Sequence, residues 1–290
     1  DCDIGGDIDD EYALGLLLAS PEFEVIGTIT DSGDTEKRAQ VACRMLYETG
    51  REDIPVIIGR KTGGTHQPQY NWATGFDKLK PQAGNAAEFI INNLRKYPNE
   101  IILFTVGPVT NIADVLEKDP DVLKLAKRVV SMFGSFYMGY GVGSKPEVEW
   151  NVKVDIPASK MLVASGADIT YAGLDITTFV KFKQSDLQRL LMRQSPLTNA
   201  LSGLYQLWQF VDYAAPNPTL FDVVAVGMVL WPDLFETESV HVSVNDEGFT
   251  IVDKNKKPNC RIGTRIQREE FIDRVMERLL KQNLIRTDDK

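Results

Sequence analysis

Through its first 180 residues this chain alternates short β-branched apolar runs with amphipathic stretches, and that alternation restricts the fold more than any other feature of the sequence. The runs Phe23 to Thr30, Pro55 to Ile58, Glu100 to Val106, Arg128 to Phe133 and Asp168 to Leu174 have the length and composition of strands. Between them, apolar residues recur at helical spacing in Glu11 to Ala19, Thr35 to Glu48, Ala86 to Lys96, Asn111 to Glu117 and Ile156 to Ala164. A strand followed by a crossover helix returns to the sheet in the same direction, so strands arranged this way pair in parallel. The pattern predicts an α/β fold with an open, doubly wound, mostly parallel sheet. In such sheets, ligands bind where loops leave the carboxyl ends of the strands.

After Thr178 the pattern turns helical, and Ser185 to Met192, Pro196 to Tyr213 and Phe221 to Leu230 predict an added helical lobe. Glu238 to Val244 and Phe249 to Val252 flank the turn Asn245-Asp246-Glu247-Gly248 and predict a C-terminal hairpin. A closing helix, Glu269 to Gln282, carries Phe271, Ile272, Val275, Leu279 and Leu280 at core-facing spacing. No linker or internal repeat interrupts the chain, so residues 1–290 read as one domain, long enough to bury a large core.

Charge narrows the partners. Lys and Arg number 32 against 41 Asp and Glu, a net charge of −9, which argues against nucleic acid and suits a small molecule or a cation. No apolar run approaches the roughly 18 residues a membrane helix needs, so no membrane partner is expected. Cys2, Cys43 and Cys260 are odd in number with no CxxC spacing, and read as free thiols. With only His66 and His241 present, any metal must be a hard cation held by oxygen. The first residue is Asp rather than Met, and the compartment stays open: cytoplasmic or, with an upstream signal peptide removed, periplasmic or secreted.

Residues 1 to 10 read Asp-Cys-Asp-Ile-Gly-Gly-Asp-Ile-Asp-Asp, five carboxylates ahead of a helical pattern. Asp1 and Asp3, two apart at a strand end, point to one side. Gly5 and Gly6 allow a tight turn that folds Asp7, Asp9 and Asp10 back toward them. Three carboxylates converging at about 5.5 Å repel by roughly 3 kcal/mol per pair at an effective dielectric near 20. A helix N-terminus returns only about 0.3–1 kcal/mol per carboxylate, so convergence requires a cation. The competing reading is a solvated acidic loop that caps a helix and binds nothing. An EF-hand fits at Gly6 and fails at Tyr12, where Glu is needed.

Asp1-Cys2-Asp3-Ile4-Gly5 followed by Asp9-Asp10-Glu11-Tyr12-Ala13-Leu14 resembles the aspartate fingerprint of the inosine-uridine-type nucleoside hydrolases, with a loop two residues longer. Val106-Gly107-Pro108-Val109-Thr110-Asn111 is similar to that family's Gly-Pro-x-Thr-Asn turn. Glu149-Trp150-Asn151 with Asp155 resembles its Glu-aromatic-Asn segment, and Leu174-Asp175-Ile176-Thr177 its Leu-Asp-x-Thr strand end. Phe221-Asp222 occupies the place of a His-Asp pair, and the likeness runs from Asp1 to about Leu234.

The resemblance implies a Rossmann-like, nucleoside-hydrolase-like fold and calcium-dependent hydrolysis of the N-glycosidic bond of a ribonucleoside or related N-riboside. Bond breaking there builds oxocarbenium-like charge on the sugar, which a carboxylate and a metal-positioned water relieve. Carried over, Asp3 is general base and metal ligand, with Asp10, the Val106 carbonyl and Asp222 completing an oxygen set that suits Ca2+. Asp9, Glu149 and Asn151 would hold ribose hydroxyls, with the inserted Asp7 beside them. A homo-oligomer, dimer or tetramer, is a further implication.

Each assignment has a plainer counterpart: Asp222 capping its helix, Thr110 and Asn111 capping theirs, Glu149 and Asn151 as loop polars. There are also departures from the family pattern. Phe221 cannot protonate a leaving base, Phe133 in Met132-Phe133-Gly134 replaces a usual Gly and narrows the sugar space, and Gly33-Asp34 replaces Gly-Asn. Leaving-group help could then come from Tyr213 or Tyr205 as donor, or from base stacking on Trp72 or Trp208. Two other functions stay open at the sequence level. One is a riboside-binding protein that keeps the calcium site without turnover. The other is a magnesium-dependent phosphohydrolase, suggested by Asp1-x-Asp3 at a strand end.

Overall fold

A computed structural model describes residues 1–211 and 214–289. The strands are β1 (Thr28–Thr30), β2 (Val56–Ile58), β3 (Ile102–Thr105), β4 (Arg128–Met132), β5 (Ile169–Ala172), β6 (Phe235–Val244), β7 (Thr250–Asp253) and β8 (Cys260–Ile266). The helices of the first half are α1 (Asp9–Leu18), α2 (Thr35–Glu48), α3 (Ala86–Lys96), α4 (Thr110–Lys118), α5 (Trp150–Val154) and α6 (Ile156–Ala164). Those of the second half are α7 (Leu174–Thr177), α8 (Gln184–Arg193), α9 (Pro196–Trp208), α10 (Phe221–Leu230) and α11 (Arg268–Lys281).

β1 and β2 pair in parallel, and a six-stranded sheet runs β3-β4-β5-β8-β6-β7, parallel from β3 to β8 and antiparallel beyond. The segment Asp1–Asp3 lies between β1 and β3 and joins the two sheets. Cys2 N donates to Ile29 O at 2.9 Å and Asp31 N to Cys2 O at 2.8 Å on one side. On the other side Asp1 N donates to Phe104 O at 2.9 Å and Val106 N to Asp1 O at 2.9 Å. The acidic loop thus begins at the carboxyl ends of β1 and β3, where a doubly wound sheet binds its ligands.

Helices cover both faces. On one, α1, α2, α9, α10 and α11 bury Tyr12, Leu16, Met45, Leu201, Val224 and Phe271; on the other, α3, α4 and α6 bury Ile90, Ile112 and Leu162. α1 and α10 are apolar on every side after their first turns, as befits helices enclosed by protein. Gly227 is required in α10, because a Cβ there would stand 2.1 Å from the Phe271 ring. Between β1 and β3 lies a cavity of about 650 Å³, walled chiefly by Leu14, Phe23, Ile29, Leu103, Phe104 and Val229. It abuts the acidic loop at Asp1, Cys2 and Asp10.

Several elements differ from expectation. The expected elements do not include β8, the strand that inserts between β5 and β6 and ties the hairpin to the main sheet. Its arginines obscured an alternation in which Cys260, Ile262 and Ile266 are buried. Asp168 to Leu174 ends as a strand at Ala172, and Leu174–Thr177 forms the short α7 because the Thr177 hydroxyl bonds back to Gly173 O at 3.1 Å. α9 stops at Trp208 rather than Tyr213, and Tyr213 lies outside the described residues. Only Thr28–Thr30 of the expected Phe23 to Thr30 strand is paired; Phe23 instead sets its ring edge-on to Phe104 at 5.8 Å.

Candidate active site

Local chemistry shapes the acidic loop. Gly5 has φ +91°, and a Cβ there would meet the Tyr70 ring at 2.8 Å, so glycine is required on both counts. Gln69 Nε2 donates to Gly6 O at 2.9 Å, Gly5 N to Glu11 Oε1 at 2.9 Å and Asp3 N to Asp10 Oδ1 at 3.1 Å. These bonds curl residues 3–8 over the first turn of α1. α10 presents its own first turn alongside, and Asp222 N donates to Asp9 Oδ2 at 3.1 Å. Two helix N-termini therefore converge on one group of carboxylates.

Asp9, Asp10 and Asp222 each place a carboxylate oxygen within 4.8 Å of the others, and all three are buried. Burial first, and then their neighbours' charges, raises all three well above the usual carboxylate range; Asp7 and Asp3 act on Asp9, Asp3 on Asp10, and Asp9 on Asp222. Asp7 is pushed up to about 6 by burial and by Asp3, against the opposing N–H of Ile8. Glu11, fully buried with Oε2 unpartnered, is pushed up to about 8, chiefly by burial.

Among the described residues one ion pair reaches this group: Arg38 Nη2 stands 3.4 Å from Asp3 Oδ2. Arg38 is itself buried, its Nε donating to Ser32 O at 2.8 Å and its Nη1 to Ile4 O at 2.9 Å. So many buried carboxylates with one guanidinium leave negative charge that a hard cation would neutralise, and the donor set, all oxygen, fits one.

The surrounding motifs converge as well. Asn151 Nδ2 donates to Val106 O at 2.8 Å and to Met132 O at 3.1 Å. Glu149 accepts from Gly134 N at 3.1 Å, Asn151 N at 2.8 Å and Val152 N at 3.2 Å, so it does cap α5. Burial still lifts Glu149 to about 7, with Asp3 adding to the rise. Asn111 Nδ2 donates to Asp1 Oδ1 at 2.7 Å. Asp222 makes no capping bond; Leu220 holds the cap position of α10, so the capping explanation for this aspartate fails.

Other expected residues are placed elsewhere. Phe133 is wholly buried and stacks on Tyr171 at 5.0 Å; directly after β4 it faces opposite to Met132, whose sulfur approaches Asn151. It therefore does not narrow the sugar space. Trp72 packs under the Arg44 guanidinium at 4.3 Å and against Gly203 of α9, away from the carboxylates in all its described contacts. The Tyr205 hydroxyl donates to Pro216 O at 3.0 Å and is not free to serve a leaving group. Trp208 is buried, and its Nε1 has no hydrogen-bond partner among the described residues. Phe221 sits edge-on to Tyr140.

Sequence reasoning missed Arg38 and Asp31. Asp31 is fully buried, bonded at Oδ1 by the Thr110 hydroxyl, unpartnered at Oδ2, and lifted to about 7 by burial and Asp3. Its position directly after β1 was the signal available; nothing local marks Arg38, which lies 35 residues from Asp3.

The mostly parallel α/β sheet carries a buried carboxylate pocket at its strand ends, and comparison with known proteins makes the chain an enzyme, an N-glycosyl hydrolase. The chain belongs to the inosine-uridine preferring nucleoside hydrolases, whose family model matches residues 1–273. It is 31% identical to the pyrimidine-specific ribonucleoside hydrolase RihA of Enterobacter sp. (strain 638) and 30% identical to that of Citrobacter koseri, over 96% of each chain in both cases. The solved structure of a plant nucleoside hydrolase, PpNRh1, superposes with a TM-score of 0.85 at 26% identity, covering 97% of this chain and 98% of that one. A purine-preferring ribonucleoside hydrolase from Gardnerella vaginalis shares the fold, with a TM-score of 0.83 at 22% identity over 96% of this chain and 97% of that one. Among the described residues no helix is long and apolar enough to cross a membrane.

Proposed function

We propose that the protein hydrolyses the N-glycosidic bond of a ribonucleoside, releasing free base and ribose, with Ca2+ held by Asp3, Asp10, Asp222 and the Val106 carbonyl. The mutual approach of Asp9, Asp10 and Asp222 carboxylate oxygens within 4.8 Å carries this reading, and it adds Asp9 to the residues within reach of the ion. When bound, the ion supplies charge for a reacting water and for sugar hydroxyls. Asp3 takes the proton of that water, held in place by Arg38 and by its own N–H to Asp10. Glu149, Asn151, Asp9 and Asp7 line the sugar side. The pyrimidine specificity of the RihA relatives favours pyrimidine ribonucleosides as first substrates. Because α11 and α1 bury Phe271 and Leu16 in one core, residues 1–290 are read as a single domain.

The test is release of reducing sugar from uridine, cytidine, inosine and adenosine, with and without chelator. Asp3→Ala is expected to lower kcat at least about 10²-fold, the usual contribution of a positioned base. Unchanged turnover would remove Asp3 from the role, and full activity in chelator would remove the ion.

A further inference from the structure

The loop 134–148, between β4 and α5, carries an aromatic residue that the motifs leave unexplained. The Tyr140 ring stands edge-to-face with Phe221, centroids 6.2 Å apart, and its hydroxyl accepts the Trp150 N–H at 2.8 Å. Both neighbours flank site residues, Asp222 after Phe221 and Glu149 before Trp150. The main chain of Tyr140 is fixed too, its N–H donating to Glu147 Oε1 at 3.2 Å and its carbonyl accepting from the Thr178 hydroxyl. With one lone pair occupied, the phenol has no acceptor for its own proton among the described residues. Tyr140 is 43% exposed overall; desolvation around its hydroxyl, then the nearby Glu149 charge, hold the phenol above the ordinary tyrosine range, so that proton stays in place at neutral pH.

Among the described residues, which exclude Tyr213, the other donors the sequence offers are missing, committed or enclosed. Phe221 has none, the Tyr205 hydroxyl is bonded to Pro216 O, and the Trp208 Nε1, though unpartnered, is buried with the rest of its ring. We propose that Tyr140 donates the hydrogen bond that holds the departing base, supplying from the 134–148 loop what Phe221 lacks; this rests on the N-glycosyl hydrolysis proposed above.

In that reaction the bond between C1′ and the base nitrogen breaks and its electron pair leaves on the base. The water oxygen bonds to C1′, and the water's proton passes through Asp3 to the released base. Tyr140 keeps its own proton throughout. Its hydrogen bond to a base oxygen or nitrogen strengthens as negative charge gathers there, so it acts on the barrier more than on ground-state binding.

Tyr140→Phe keeps the ring and deletes the hydroxyl. For the nucleoside turned over fastest in the panel, kcat is expected to fall about 10²-fold with KM within about threefold. For p-nitrophenyl β-D-ribofuranoside, whose leaving group is stable as an anion unaided, the loss is expected to stay within about threefold, which also shows that the variant is folded. Equal losses on both substrates, or no loss on either, overturn the proposal. So does a loss that vanishes with the 5′-deoxy nucleoside, since the hydroxyl would then serve the sugar. A wild-type protein that releases sugar from neither substrate brings down the hydrolase reading with it; the other outcomes bring down this inference alone.

Discussion

Replacing Asp222 by Asn should stabilise the metal-free protein and abolish its response to calcium. With carboxylate oxygens of Asp9, Asp10 and Asp222 within 4.8 Å, each charged pair repels by about 3.5 kcal/mol at an effective dielectric near 20, and Asp222 takes part in two such pairs. The cluster escapes much of that by holding a proton. Protonating a carboxylate of ordinary pKa at pH 7 costs about 4 kcal/mol, so this figure bounds what the repulsion can cost. Asn removes the charge while keeping the shape, and α10 keeps its bond from the residue-222 N–H to Asp9 Oδ2. For 290 residues, an unfolding entropy near 2.1 cal/mol/K per residue converts 4 kcal/mol into a rise of about 7 °C.

The assay is thermal unfolding in chelator and in calcium, at pH 5 and pH 7. In chelator at pH 7, Asp222→Asn should melt up to about 7 °C above wild type, and the gap should shrink at pH 5, where the proton costs less. At about 100 times its Kd, calcium should stabilise wild type by roughly 3 kcal/mol and the variant hardly at all, reversing their order. A variant that melts below wild type in chelator at pH 7, or that rises as much as wild type on adding calcium, refutes the reasoning.

Arg38→Met strips Asp3 of its ion pair and leaves Ser32 O and Ile4 O without their buried donor; a loss of about 3–5 kcal/mol is expected, a drop of about 5–8 °C in Tm, and a change under 2 °C would contradict it. Gly107→Ala would set a Cβ 2.9 Å from Asp3 N and 3.1 Å from its Cβ, so kcat should fall about 10²-fold while Tm changes little, as steady-state kinetics on purified protein would show. Glu149, lifted from 4.5 to about 7 chiefly by burial, keeps its proton in the fold where the unfolded chain has lost it. Its contribution is therefore complete below about pH 4.5 and lost by about pH 7, roughly 3 kcal/mol in all; Glu149→Gln should flatten the fall in chelator Tm across that window, and parallel curves would argue against it.

Sequence alone determined the doubly wound class, because helix and strand periods are local and their alternation leaves few arrangements. It also marked the acidic loop as the centre of the chemistry, since five carboxylates in ten residues cannot converge without compensation. β8 was legible in principle, its buried Cys260, Ile262 and Ile266 alternating as a strand should, with exposed arginine obscuring them. What only the tertiary structure decided is which distant side chains share the pocket. Arg38 beside Asp3, Asp31 beneath Thr110, and Tyr140 against Phe221 each depend on crossovers that bring remote segments to the same strand ends. Phe133 and Trp72 show the converse: the sequence suggested a place beside the sugar for one and under the base for the other, yet the chain direction leaving β4 and packing against α9 sent them into other company. Period and charge density are written in neighbouring residues; direction and partnership arise only when the sheet closes.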